Sequence, residues 1–288
     1  MTQEIYISNW LEKDYKDVYN QLLKVLSEFD ITPKTLPYSE EVWCRDYMPI
    51  HIGEGKYVGF NFRPDYLWDD QKYHKYITRQ ELAIEDLDIN ISDNVDIVLD
   101  GGNYVRCGDK VVMTDKIFSE NTNWRPLALL CRLEEAFQAE IILLPWDMNE
   151  PFGHSDGMIA WLGDDRILLN NYHQLEKGKR KSFSTRIRKI LNSQFEILEL
   201  EYKGMLSQDI WCYMNYLETF TFPPTHPNTT NVFLSKDCCQ GRTSPGRRVR
   251  ASCHGSLCRG LGQSCGLAHG CRAPRDSSRA AAHSRRRM

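Results

Sequence analysis

The sequence has no run of about 18 apolar residues, and so predicts no membrane-spanning helix. Its opening, Met-Thr-Gln-Glu-Ile-Tyr-Ile-Ser-Asn-Trp, lacks the basic stretch and the apolar core of a secretory leader. The expected location is therefore cytoplasmic, where thiols stay reduced. A third absence is local. Residues 236–288 contain no Ile, Phe, Tyr, Trp, Asn or Glu. A segment with so little apolar surface cannot offset the entropy of ordering it, and no regular structure is expected there. The same segment holds six of the 10 cysteines, and 12 Lys or Arg against only Asp237 and Asp276. Residues 1–235 carry 24 bases and 37 acids. The chain thus reads as two unlike pieces: a domain over 1–218, a transition over 219–235, and a basic tail over 236–288.

What the tail lacks also limits what it can do. Its charge would suit nucleic-acid phosphates, but it has no aromatic side chain on which a base could stack, so nucleic acid is not the expected partner. Cys253, Cys258, Cys265 and Cys271 follow a Cys-x4-Cys-x6-Cys-x5-Cys pattern without the Cys-x2-Cys pair of common zinc sites. The body is rich in Ile, Asn, Lys and Tyr, whose codons are AT-rich. The tail favours residues with GC-rich codons. That break is expected of an out-of-frame or foreign translation.

Within 1–218 the pattern repeats. Leu11, Tyr15, Val18, Tyr19, Leu22, Leu26 and Phe29 recur at helical steps. After the prolines at 33 and 37 comes Trp43-Cys44-Arg45-Asp46-Tyr47-Met48-Pro49, then two strands, Pro49–Ile52 and Tyr57–Phe62, joined by a Gly-Glu-Gly-Lys turn. A helix around Tyr73–Ala83 and a strand at Val95–Leu99 lead to Asp100-Gly101-Gly102-Asn103 and a second hairpin, Tyr104–Arg106 with Val111–Thr114. A helix at Leu127–Gln138, with Pro126 in its first turn, and a strand at Ile141–Leu144 lead to Gly153-His154-Ser155-Asp156 and a third hairpin, Met158–Leu162 with Arg166–Asn170. A helix at Ser184–Leu191 and a strand at Glu196–Leu200 lead to Trp211-Cys212-Tyr213-Met214-Asn215-Tyr216. The polar motifs stand 57, 53 and 59 residues apart, from Asp46 to Asn103 to Asp156 to Asn215. Such a period suggests modules set around an axis, with their polar residues converging on one pocket.

His154 and Asp156 are the centre of that pocket. In an extended strand, positions i and i+2 share a face. Histidine moves protons near neutral pH, and a carboxylate holds a cation. With Asp46 and Asp100 added, the set suits a flat guanidinium, whose N–H donors carboxylates grip two at a time. The histidine could protonate a leaving ammonia and then activate water. A cysteine thiolate would be the natural nucleophile. No metal or cofactor is called for.

Those four motifs resemble the guanidino-group-modifying superfamily, in particular agmatine deiminases and bacterial peptidylarginine deiminases. The resemblance covers residues 1–218. It implies an α/β pentein fold, a propeller of ββαβ modules around a pseudo-fivefold axis, with about four of five modules present here. It implies hydrolysis of a guanidinium: agmatine to N-carbamoylputrescine and ammonia, or peptidylarginine to peptidylcitrulline. Asp46 and Asp156 would hold the guanidinium, His154 would be general acid and base, and Asp100 would orient it. Trp43 would stack near the substrate, and Asn103 and Asn215 would line the pocket. Arg63, in Phe62-Arg63-Pro64, stands where the peptidylarginine type grips a substrate carboxylate, which agmatine lacks. The departure is the nucleophile, which the family carries in a fifth module after a glycine-rich run. Cys271 lies 56 residues beyond Asn215, near the repeat interval, but in a setting with no strand pattern. Cys44 fills a variable place in its motif. Neither is expected to attack. The expected function is therefore a deiminase-type chain with little or no turnover. The alternatives are a non-catalytic binder of arginine-like cations, and a protein whose basic tail binds nucleic acid.

Translation of the gene in another frame beyond about codon 218 is expected to restore an apolar strand-and-helix pattern ending in a glycine run and a cysteine. Resequencing of the locus tests this. One intact frame, with relatives carrying the same tail, would overturn it.

Overall fold

The computed structural model describes residues 4–148, 152–170 and 179–199, together with two short strands at 218–220 and 230–232. The motif around Asn215, the cysteine at 212 and the whole 236–288 tail lie outside the described residues. The chain opens with β1 (Tyr6–Ser8), α1 (Asn9–Asp14), α2 (Lys16–Ser27) and β2 (Lys34–Leu36), which pairs parallel to β1. The single helix expected over Leu11–Phe29 is interrupted at Tyr15, whose backbone leaves the helical region at φ −131° and ψ 46°. The apolar period runs on through the break, since Tyr19 N–H still donates to Tyr15 O.

Three sheets of identical plan follow. The one-turn α3 (Cys44–Tyr47) precedes the hairpin β3 (Ile50–Gly53) and β4 (Lys56–Asn61). Next come α4 (Asp65–Trp68), a 3-10 turn at Gln71–Tyr76 and α5 (Gln80–Ala83), and β5 (Asn90–Val98) returns parallel to β4. The helix expected over Tyr73–Ala83 is thus two short turns. His74 stacks on Trp68, and Thr78 between the turns accepts from Glu40 N–H, so tertiary contacts override the helical pattern there. The second sheet is the hairpin β6 (Val105–Cys107) and β7 (Lys110–Thr114), then α6 (Lys116–Glu120), α7 (Pro126–Phe137) and β8 (Glu140–Leu144), parallel to β7. Pro126 opens α7 as expected, and Gln138 closes it in the left-handed conformation. The third is the hairpin β9 (Ile159–Gly163) and β10 (Arg166–Leu169), then α8 (Lys179–Leu191) and β11 (Glu196–Glu199), parallel to β10. A further antiparallel pair, β12 (Glu218–Phe220) with β13 (Thr230–Val232), completes the described strands.

The middle sheet is what joins these units. All of Val111, Val112, Met113 and Thr114 on β7 are buried. Alternate side chains leave a strand on opposite faces. Val111 and Met113 enter one core with Val58, Phe60, Val95, Ile97, Leu129, Leu133 and Phe137. Val112 enters the other with Ile142, Ile159, Ile167, Ile187 and Leu191. A strand covered on both faces has a continuous apolar run, as β7 does.

β5 runs directly into its polar motif, and Asn121 anchors that end. Its Oδ1 accepts from Val98 N–H at 2.8 Å, and its Nδ2 donates to Val98 O at 2.8 Å and to Ile117 O at 2.9 Å. It therefore acts as a buried stand-in for a neighbouring strand, two residues before Asp100. Asn121→Leu is expected to leave both polar groups of Val98 unpaired, at a cost of about 2–4 kcal/mol. Urea denaturation measures it. A loss under about 1 kcal/mol would mean that Val98 finds other partners.

Candidate functional site

Three of the expected motifs meet. Asp100 ends the run after β5, and its Oδ1 accepts from Gly102 N–H, which turns the chain into the 3-10 turn Gly101–Asn103. Both glycines are required by close approach. A Cβ on Gly101 would stand 1.9 Å from Arg45 O, so α3 rests directly on the turn. A Cβ on Gly102 would stand 2.3 Å from His154 Nδ1, so the imidazole lies over this glycine. Asp156 N–H donates to Gly102 O at 3.1 Å, tying the third motif to the second.

The residues of the third motif are a bend ahead of β9 rather than the strand whose alternation was expected to align them. The alternation survives in effect. Ser155 turns away and donates to Val112 O on β7 at 3.0 Å, while His154 and Asp156 are buried toward the cluster. Gly153 has a φ of +70°, and the place of its missing Cβ is filled by the Lys116 stem, 2.3 Å away. Lys116 Nζ donates to Phe152 O at 2.9 Å and pairs with Asp65 at 2.8 Å and Glu120 at 3.1 Å. Next to Asp65, Tyr66 donates its hydroxyl to Asp100 Oδ2 at 2.8 Å. One buried lysine thus braces both the loop of His154 and the turn that holds Asp100. Neither Lys116 nor Tyr66 belongs to the recurring motifs, and a lone charged or aromatic residue on a short helix has no periodic signature.

His154 Nε2 lies 2.7 Å from Asp100 Oδ2. Burial opposes a charged ring, but the charges of Asp100, Asp46 and Asp156 outweigh it and raise His154 to about 10. Burial likewise pushes Asp100 up, yet the charge and hydrogen bond of His154 and the hydroxyl of Tyr66 hold it below the usual carboxylate range. Asp46 goes the other way. Burial, then the charge of Asp100, raises it well above that range. The proton is therefore favoured on Asp46 and the negative charge on Asp100. Asp156 is raised by burial and relieved by Arg45, whose Nε lies 2.8 Å from Asp156 Oδ2. Arg45 is itself fixed through Nη2 to Tyr104 O at 2.7 Å. Ligand atoms of Asp46, Asp100 and His154 come within 4.8 Å of one another, a spacing on which a divalent cation could also be held.

The other expected site residues are distributed differently. Trp43 is half-buried at the start of α3. Asn103 is buried, and its Oδ1 accepts from Thr114 N–H at 2.7 Å, so its amide clamps the end of β7. Arg63 is exposed, stacks 4.7 Å above the Trp68 ring, and lines a cavity of about 600 Å³ with Asn61, Arg79 and Gln80. None of Asp46, Asp100, His154 or Asp156 lines that cavity. Burial pushes the Cys44 thiol up to about 11 and the Cys107 thiol up to about 12, so both are protonated at neutral pH. Cys131 is exposed on α7. Among the described residues, no helix is long and apolar enough to cross a membrane.

No protein-family model matches the chain, and no curated protein sequence does. Solved structures do. The agmatine deiminase of C. jejuni superposes with a TM-score of 0.59 at 17% identity, covering 82% of this chain and 81% of that one. The agmatine deiminase of Enterococcus faecalis gives 0.55 at 14% identity, covering 74% and 78%. An arginine deiminase candidate from Porphyromonas gingivalis gives 0.53 at 15% identity, covering 75% and 80%. The chain therefore has the α/β fold of these deiminases.

The His154 imidazole is expected to remain protonated at pH 8, and Asp100→Asn to lower its midpoint by more than about one unit, as NMR titration would show. The sign for stability follows. The folded-state pKa of about 10 lies above the unfolded value of about 6.5, so this pair stabilises fully below pH 6.5 and the gain is lost as pH rises through 10. A midpoint near 6.5 would exclude the pairing. Gly102→Ala is expected to displace the ring and shift the same resonance.

Proposed function

We propose that this site binds a guanidinium and serves deimination, the hydrolysis that converts a guanidinium to a ureido group with loss of ammonia. The observation that supports it is the half-buried Asp46 beside the buried Asp100, His154 and Asp156, on the fold of agmatine deiminases. Three carboxyls meet one imidazolium and one arginine. The empty site is short of a cation, and Asp46 holds a proton in its place. An incoming guanidinium supplies the missing charge, and Asp46 then ionises against it. Asp46 and Asp156 grip the cation in this reading, and Trp43 covers it.

His154 is the proton carrier. Held as imidazolium by Asp100, it donates a proton to the departing ammonia. The neutral ring left behind takes a proton from the water that replaces it. The carbon must first be attacked, and a guanidinium carbon is resonance-stabilised. Cys44 is the nearest thiol by sequence, but it is held protonated and accepts from Tyr47 OH at 3.4 Å. Neither Cys44 nor Cys107 is thus poised as a thiolate. The chain as written binds a guanidinium compound and turns it over little or not at all, because losing a covalent nucleophile removes most of the rate. The same observation favours the second reading, a binder without turnover. A module with a reactive cysteine, in place of residues 219–288, completes the enzyme in the first reading. A soluble cytoplasmic protein acting on a small or peptide-borne guanidinium fits both.

Calorimetric titration with agmatine, arginine and a short arginine peptide tests the binding. Asp46→Asn and Asp156→Asn are each expected to weaken it at least about tenfold, the loss of a charge-assisted contact. Absence of binding by the parent chain would overturn the reading. Ammonia release at an ordinary enzymatic rate would instead refute the low turnover, and Cys44→Ser and Cys271→Ser would then identify the thiol.

A further inference from the structure

Glu41 stands five residues before Asp46, at the entry to α3, and has no part in the scheme above. Its Oε1 is fully covered and has no hydrogen-bond partner. A carboxyl oxygen so placed has lost its water and gained nothing. It lies near the same cluster, close enough that Glu41 and the groups Asp46, Asp100 and His154 act on one another electrostatically. The Cys44 thiol from α3 and the Tyr66 hydroxyl from α4 also feel its charge. The Tyr47 hydroxyl, from α3, donates to Cys44 Sγ at 3.4 Å and to the Glu41 backbone carbonyl, not its carboxyl, at 3.5 Å.

The donor count shows what that oxygen is for. A guanidinium brings several N–H donors in one plane, and two carboxylates can match them two at a time. Here Asp156 Oδ2 is already engaged by Arg45 Nε. A guanidinium on an alkyl chain has five N–H donors, so Asp46 and Asp156 gripping two each leave at least one without an acceptor, which is costly when buried. We infer that Glu41 is a cation-binding residue of this site, its uncommitted Oε1 accepting an N–H of the bound guanidinium compound. This rests on the reading that the site binds a guanidinium at all.

The geometry has a protonic consequence. In the empty site, burial and then the charge of Asp100 push Glu41 up to about 8, so it is largely protonated at neutral pH. A cation arriving beside Asp46, Asp100 and His154 restores the ionised form. Uptake near neutral pH then expels the Glu41 proton into the solvent, in addition to the proton that Asp46 gives up.

The test is calorimetric titration of the full chain with agmatine at pH 7, in phosphate and in Tris. The two buffers differ in ionisation heat, so the difference counts protons released. Glu41→Gln is expected to bind about 10-fold or more weakly and to release about one proton fewer. Glu41→Asp is expected to recover part of the affinity and the proton. Thermal melts check the fold independently. Glu41 has a folded pKa above its unfolded one, so the parent chain loses stability between about pH 4.5 and 8, as only the unfolded chain ionises. Glu41→Gln should therefore melt higher than the parent at pH 8 and alike at pH 4. If Glu41→Gln binds agmatine as the parent does, with the same proton count, the role of Glu41 is overturned and the guanidinium site stands. If the parent chain binds no guanidinium, both fall. Should Glu41→Gln fail to fold, an affinity of Glu41→Asp equal to that of Glu41→Ala overturns the role equally.

Discussion

A histidine buried among carboxylates is the constraint on which the rest of this structure turns. Left alone in the interior, an imidazolium would lose its proton. Asp100 at 2.7 Å reverses that preference. The pair in turn needs two segments, 54 residues apart in sequence, to be held within an ångström or so. The chain meets that demand by removing side chains and filling the space. Two glycines let the backbone of α3 and the His154 ring press onto the turn after Asp100. A third lets the stem of Lys116 lie against the loop that carries His154. A longer side chain at any of these places would force the two halves of the pair apart.

The charges of this cluster oppose one another. Asp100 raises Asp46 while His154 holds Asp100 down, and Asp156 leans on Arg45. A buried carboxylate without a partner is costly, so each holds a proton or borrows a cation. In the proposed reading, an external cation would relax all of them together. The effects of single substitutions here are accordingly not expected to add.

Much of this was legible in the sequence, and what was not has a physical cause. The three hairpins and the helix opened by Pro126 follow from turn chemistry and apolar period, and they stand within a residue or two of the expected places. The pair β1 and β2 escaped notice because three-residue strands carry no readable alternation. The helix expected around Tyr73–Ala83 failed because the stacking of His74 on Trp68 is invisible to periodicity. At the site, Asp46, Asp100, His154 and Asp156 were recognisable by type and spacing. Tyr66, Lys116 and Glu41 were not, since Tyr66 and Lys116 sit on one-turn helices and Glu41 on a bend ahead of α3, whose directions only the folded backbone decides. Asn103 stood in the right motif, but its amide secures Thr114. Asn215 and the tail lie outside the described residues.

The hairpins also divide each module into two ends with unlike obligations. The polar motifs precede the first strand of each hairpin, so the connecting turns, at Gly53–Lys56, Gly108–Asp109 and Gly163–Asp165, lie a full strand length from the chemistry. Glu54, Asp164 and Asp165 hold left-handed backbone there, with side chains exposed to solvent. Two of the turns also hold the start of a third strand, since Asp109 O accepts from Glu140 N–H at 3.1 Å and Asp165 O from Glu196 N–H at 2.8 Å. A fluorophore or an inserted peptide at these tips leaves the opposite ends of the same strands in register with the imidazole as long as those two backbone bonds are kept.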